Sequence, residues 1–221
     1  FHFYFIFYLS HNLKKNLTIL ININNLDMKI YVVGSSKNKF LSLDNIREKF
    51  LIDQSHEGDN IDFLNPWYCE LTGLYYLWKH SMDDIVGLEH YRRAFVNDQD
   101  IPLSEAEITE ILKTNDVICK KFVFKENNRP SIFEWWTRGK NYNKLEHYVN
   151  LIDDEKLKQF MFDKIHNQEY YYNCNMFICK KEIIDKYCEF LFNNLAKLDK
   201  SFFIHDPRIC GYLAEYTFGF W

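Results

Sequence analysis

Short β-branched runs alternate with amphipathic segments along most of this chain, and that alternation restricts its fold more than any other feature. Lys29–Val33 (KIYVV), ending at Gly34, reads as a buried first strand running into a loop. Ile85–Glu89 (IVGLE), Asp116–Cys119 (DVIC) and Asn175–Cys179 (NMFIC) read as further short strands. Between the first two, Trp67, Leu71, Leu74, Tyr75 and Trp78 fall on one helical stripe, with Asn65 as its cap and Pro66 in its first turn. Ser104 and Glu107 form a capping box, flanked by Leu103 and Ile108 as a hydrophobic staple. Leu157, Phe160, Met161 and Ile165 make another helical face. Two more are traced by Ile184, Tyr187, Cys188, Leu191, Leu195 and Leu198, and by Ile209, Leu213, Tyr216 and Phe220. Strands separated by helices predict one α/β domain, with a mostly parallel central sheet flanked by helices. No repeat, low-complexity linker or Gly/Pro-rich hinge marks a second domain.

Composition narrows the function classes. At 221 residues, 47% hydrophobic and 26% charged, the chain is long and apolar enough to bury a sizeable core. A net charge of −4 argues against a protein that coats nucleic acid. Six cysteines without a C-x-x-C pair read as reduced thiols, which points to the cytoplasm. Aromatic residues make up 18%, and these pack cores but also line sugar and base sites. Residues 1–27 differ from the rest. The apolar run Phe1–Leu9 is short of the roughly 20 residues of a membrane span and lacks signal-peptide features. Residues 1–27 are read as an upstream, non-native extension, with a membrane-surface anchor or an extra strand as the other readings. Residues 28–221 are read as the functional domain.

The polar residues gather at strand exits, where open α/β sheets bind ligands. Ile85–Glu89 runs directly into His90, Tyr91, Arg92 and Arg93. Cationic groups at the end of a buried strand suit a phosphate or diphosphate. If the strand continues, Arg92 and Arg93 point to opposite sides, with His90 on the side of Arg92. The other reading pairs one arginine with Glu89 or Asp84 and leaves the second in water. Asn173 and Asn175 open a second polar mouth, suited to sugar hydroxyls or to backbone capping. Gly58-Asp59-Asn60 is a turn signature. His205, Asp206 and Arg208 precede the last helix and Glu215 lies within it. Asp206 reads as the helix cap or, like Glu215, as a general base. There is no P-loop, G-x-G-x-x-G, H-E-x-x-H or G-x-S-x-G, and the eight histidines have no ligand-like spacing. No metal ligands are assigned, although Mg²⁺ or Mn²⁺ held by one or two carboxylates and a substrate diphosphate is compatible with the sequence.

Four ordered blocks carry a family resemblance: Gly58 to His80, Val86 to Phe95, Tyr172 to Phe192 and Pro207 to Tyr216. Together they resemble the bacterial family catalogued as domain of unknown function 4422, from Met28 to the end of the chain. The resemblance implies a GT-A-like (Rossmann-like) glycosyltransferase of capsular, lipopolysaccharide or exopolysaccharide synthesis. It implies a nucleotide-sugar donor, UDP-sugars first, and a glycan or lipid-linked acceptor at the inner face of the membrane. His90-Tyr91-Arg92 stands where such enzymes carry a metal-binding D-x-D, and Asn173–Ile178 resembles the strand beside the donor sugar. Asp59, Asn60 and Glu70 come out as donor contacts. Relative to the family, the segment from Met28 to Gly58 is short and the chain stops early at Trp221. The expected mechanism has Arg92, helped by His90 and Arg93, offset the diphosphate charge, with Glu215 or Asp206 as base and Arg208 nearby. Two other readings stand beside it. One is a module that binds a nucleotide sugar or a protein without catalysis, and the other is a phosphate-dependent hydrolase or nucleotide-binding regulator.

Overall fold

The computed structural model describes residues 7–9, 26–41, 43–123, 142–167, 169–203 and 207–221. Its strands are β1 (Phe7–Leu9), β2 (Met28–Gly34), β3 (Arg47–Leu51), β4 (Ile85–His90), β5 (Val117–Val123) and β6 (Tyr170–Lys180). Its helices are α1 (Asn65–Tyr68), α2 (Leu71–His80), α3 (Glu105–Leu112), α4 (Tyr142–Asn150), α5 (Glu155–Asn167), α6 (Lys181–Leu195) and α7 (Ile209–Thr217). The strands form one sheet in the order β1-β5-β6-β4-β2-β3.

The sheet is mixed, which corrects the expectation of a mostly parallel one. Among the described strands, β3-β2 and β2-β4 pair in parallel, whereas β6 runs against both β4 and β5, and β1 runs against β5. A strand buried on both faces reads as an apolar run whichever way it points, so direction is not encoded in its composition. The reversal places the start of β6 at the same sheet edge as the end of β4. Two groups of polar residues far apart in sequence are thereby brought to one edge.

Strand alternation sorts the core into two layers. Tyr31 and Val33 of β2 and Val86 and Leu88 of β4 meet Leu71, Leu74 and Leu77 of α2, Ile184 and Leu191 of α6, and Leu213 of α7. The opposite face carries Met28, Ile30, Ile85, Ile118 and Ile178 against Ile108 and Leu112 of α3. Gly87 belongs to this second face, and a Cβ there would lie 2.9 Å from Ile178 and 3.1 Å from Ile30, so the strand approach requires glycine. The capping box and staple hold: the Ser104 hydroxyl accepts from the Glu107 N–H, and Leu103 and Ile108 are buried.

Two local expectations change. The apolar stripe from Trp67 to Trp78 is not one helix, because Cys69 takes φ 51°, ψ −125° and divides it into α1 and α2. Asn65 is the first residue of α1 rather than its cap, and a short 3₁₀ turn over Asp62–Leu64 precedes it. β3 was not foreseen, since the first three residues of REKFL are charged.

On the α3 face, Glu89 is fully buried and pairs with Arg47, which is 3% exposed. Arg47 Nε donates to Glu89 Oε2 at 2.9 Å, Nη1 donates to Asp44 at 2.7 Å, and the Phe95 N–H donates to Glu89 Oε1 at 3.0 Å. Burial pushes the Glu89 carboxyl up, while Arg47 and the Phe95 N–H pull it back. Removing one partner strands the other charge inside the protein. Arg47→Met should therefore lower the unfolding free energy by about 3–5 kcal/mol in urea titration; a loss below about 1 kcal/mol, the scale of an exposed pair, would contradict this role.

Candidate active site

β4 delivers His90 to the face opposite Glu89. The strand ends there. Arg93 N–H donates to His90 O at 2.9 Å and His90 N–H donates to Arg93 O at 3.3 Å, so Tyr91 and Arg92 form a tight turn. Residues facing each other across an antiparallel bridge send their side chains to the same side. Arg93, not Arg92, therefore stands beside His90. Arg92 is exposed at the turn, its guanidinium carbon 5.6 Å from the Tyr91 ring centroid. Tyr91 itself packs edge-on against Phe40 at 6.4 Å, next to the loop after β2. Neither arginine is needed to neutralise Glu89, which Arg47 already satisfies.

β6 contributes a bulge. Cys119 pairs with Phe177 and Lys121 with Tyr172, so five residues of β6 span what two cover on β5. Cys174 (φ 76°) and Asn175 (φ 48°) are both left-handed there, a conformation asparagine tolerates and cysteine rarely adopts. The bulge turns Asn175 into the site, where its amide nitrogen donates to Glu70 Oε1 at 2.7 Å and to Gly211 O at 2.8 Å. One side chain thus joins β6, the α1–α2 junction and α7. Glu70 is placed by the break at Cys69, and Gly211 contributes through its backbone carbonyl, which holds Asn175 from α7.

Glu215 comes from α7. Its carboxylate accepts from the Tyr171 hydroxyl at 3.4 Å and from the Cys174 N–H. Burial pushes its carboxyl up to about 7; the nearby Glu70 charge adds to this, while the two hydrogen bonds and Arg93 oppose it. The Cys174 thiol is pushed up to about 11 by burial and by Glu215, with Arg93 and Lys120 pulling the other way. Arg93 Nη1 lies 3.5 Å from its sulfur. The His90 imidazole is held below its usual range by burial and by Arg93, Arg92 and Arg208, against the pull of Glu70. Its Nε2 is buried without a hydrogen-bond partner among the described residues. A buried polar atom of this kind calls for a partner that a ligand would supply. Arg208, left-handed at φ 75°, bonds through its side chain to Cys69 and so closes the rim.

The fold thus gathers His90, Arg93, Glu70, Asn175, Glu215 and Arg208, with Arg92 at the edge. It does not bring Asp59 and Asn60 there. Asp59 accepts from the Tyr75 hydroxyl at 3.0 Å and its carbonyl meets His80 Nε2 at 2.8 Å, while Asn60 donates to the carbonyls of His56 and Gly58. These are loop contacts around His80, at the opposite end of α2 from Glu70, about 15 Å away along the helix. Asp206 lies outside the described residues, and so does the side chain of Asn173. Cys174, Tyr171 and Gly211 also belong to the site, and their roles depend on the bulge, which the sequence does not announce. An asparagine inside an apolar strand was the one available signal. No group of three His, Cys, Asp or Glu among the described residues is arranged to hold a metal ion.

The family described as Domain of unknown function (DUF4422) matches residues 14–221, and the chain belongs to that family. Among solved structures, the WbbM bifunctional glycosyltransferase in its apo form superposes with a TM-score of 0.73 at 22% identity. The match covers 88% of this chain and 42% of that one, so the chain spans less than half of WbbM. That likeness is one of fold. No match was found among curated proteins.

Because the folded-state carboxyl of Glu215 is raised, its contribution to stability is complete below about pH 4.5 and is lost as pH rises through about 7. Urea unfolding at pH 5 and pH 8 should show the wild type losing on the order of 2 kcal/mol relative to Glu215→Gln. Parallel pH profiles for the two proteins would refute the raised value.

Proposed function

We propose that this member of the family is a glycosyltransferase, moving a sugar from a nucleotide-sugar donor, UDP-sugars first, to a glycan or lipid-linked acceptor of surface polysaccharide synthesis. The observation that carries this reading is the meeting of a carboxyl group raised to about 7 with an inward arginine and a buried, unpartnered imidazole nitrogen. A base must be unprotonated yet still basic near neutral pH, and Glu215 meets that condition. A departing diphosphate needs fixed positive charge and hydrogen-bond donors where its charge develops. Arg93 supplies a permanent charge with a planar fork, His90 can donate through Nε2, and Arg92 adds charge at the rim. This moves the leading role from Arg92 to Arg93, because the chain turns instead of continuing as a strand.

In this reading Glu215 takes the proton of an acceptor hydroxyl. The acceptor oxygen bonds to the anomeric carbon, and the bond from that carbon to the phosphate oxygen breaks. The diphosphate leaves with the bonding electrons. Burial keeps the Glu215 carboxyl raised, and the charge of Glu70, fixed by Asn175, adds to it. A Mg²⁺ or Mn²⁺ entering with the diphosphate would share the charge with Arg93. No helix among the described residues is long and apolar enough to cross a membrane, and we place the reaction in the cytoplasm, at the inner membrane face for a lipid-linked acceptor.

Mass spectrometry of transfer products, with UDP, GDP, dTDP and CMP sugars and lipid-linked acceptors, tests the assignment. Glu215→Gln should cut turnover by about 10²–10⁴ with donor affinity intact, and Arg93→Ala should weaken both more than Arg92→Ala does. Binding of a donor without transfer or hydrolysis under any condition would favour the non-catalytic module, whereas sugar release to water without acceptor would favour a hydrolase.

A further inference from the structure

The helix that carries Glu215 also carries an exposed aromatic ring that the donor chemistry leaves unused. Every residue of α7 except Tyr212 and Glu215 is buried. Tyr212 and Glu215 are three residues apart on the helix, and the Arg208 guanidinium reaches the Tyr212 ring, so the three lie along one strip. Among the described residues, Tyr212 is the exposed member of this strip and Glu215 the half-buried one, so the strip leads from the rim inward to the base. Tyr212 is 37% exposed and its ring centroid lies 5.6 Å from the Arg208 guanidinium carbon.

We propose that Tyr212 is the stacking platform for the acceptor, holding a pyranose ring over its face with one hydroxyl directed at Glu215. This rests on the glycosyltransferase reading above and extends it to the acceptor side. The chemistry of a pyranose fits the strip. Its axial C–H bonds form an apolar, weakly positive face that suits the negative face of an aromatic ring, while its hydroxyls radiate from the edge toward polar groups. Side chains three apart on a helix stand about 5–6 Å apart at Cβ, a separation that one sugar ring bridges. The Arg208 guanidinium, over the Tyr212 ring at 5.6 Å, offers N–H groups to the hydroxyls at the sugar's edge. The diphosphate is assigned to His90 and Arg93 at the sheet edge, which leaves the outer strip of α7 to the second substrate.

The test is saturation-transfer NMR on the full chain with methyl β-D-glucopyranoside, methyl β-D-galactopyranoside and, as an acyclic control, sorbitol, each alongside UDP. At least one pyranoside should receive saturation at its ring C–H protons, and sorbitol should not. Tyr212→Ala should reduce that signal several-fold, Tyr212→Phe and Tyr212→Trp should retain it, and UDP saturation should be the same in all four proteins, which also reports that the variants are folded. Pyranoside signals unchanged in Tyr212→Ala would overturn the proposal, as would a wild type that saturates UDP and no pyranoside. A wild type that saturates neither would instead bring down the glycosyltransferase reading on which it rests.

Discussion

A fully buried carboxylate at the end of a central strand has to be neutralised inside the fold, and the Arg47–Glu89 pair does so. The consequence extends across the sheet. With Glu89 satisfied on the α3 face by Arg47 and the Phe95 N–H, the cations that follow it are free of that task. His90 emerges on the other face, the turn folds Arg93 alongside it, and the positive charge collects where α2 and α7 converge. The same strand thus separates a structural ion pair from a candidate chemical site by the alternation of its side chains.

The second element of the design is local strain on β6. Left-handed backbone at Cys174 and Asn175 costs on the order of 1–3 kcal/mol per residue. The bulge brings Asn175 between Glu70 and Gly211 and presents the Cys174 N–H to Glu215. A regular strand would keep its side chains alternating between the two core layers and leave Glu70 untethered. The carboxyl of Glu215 owes its raised value to this enclosure, since burial is the main cause and the neighbouring Glu70 charge reinforces it.

Much of the fold was legible because apolar periodicity reports burial directly. β2, β4, α3, α6 and α7 lie where KIYVV, IVGLE, the capping box and the long amphipathic stripes place them. β3 was illegible because its first three residues are charged, with Arg47 inward to Glu89 and Glu48 outward to Lys29. Strand direction was illegible because a doubly buried strand carries no polar face to orient it. The break at Cys69 interrupts an unbroken apolar stripe, so only backbone geometry shows it. At the site, polar residues at strand exits and in the last helix pointed to His90, Asn175 and Glu215, the family resemblance added Glu70, and the fold brings the four together. It selected Arg92 over Arg93 because side-chain alternation was carried past a turn. Asp59 and Asn60 share a sequence block with Glu70, but the length of α2 separates them from it.

Calorimetric titration of the wild type and of Arg93→Ala with UDP and UMP, each in EDTA and then in Mn²⁺, tests most directly whether the end of β4 is a diphosphate site. UDP should bind more tightly than UMP by about tenfold or more, a difference of roughly 1.4 kcal/mol or greater, with the gap present in EDTA and closed in Arg93→Ala. Equal affinity for UDP and UMP in the folded wild type, or a gap that Arg93→Ala leaves unchanged, would contradict it.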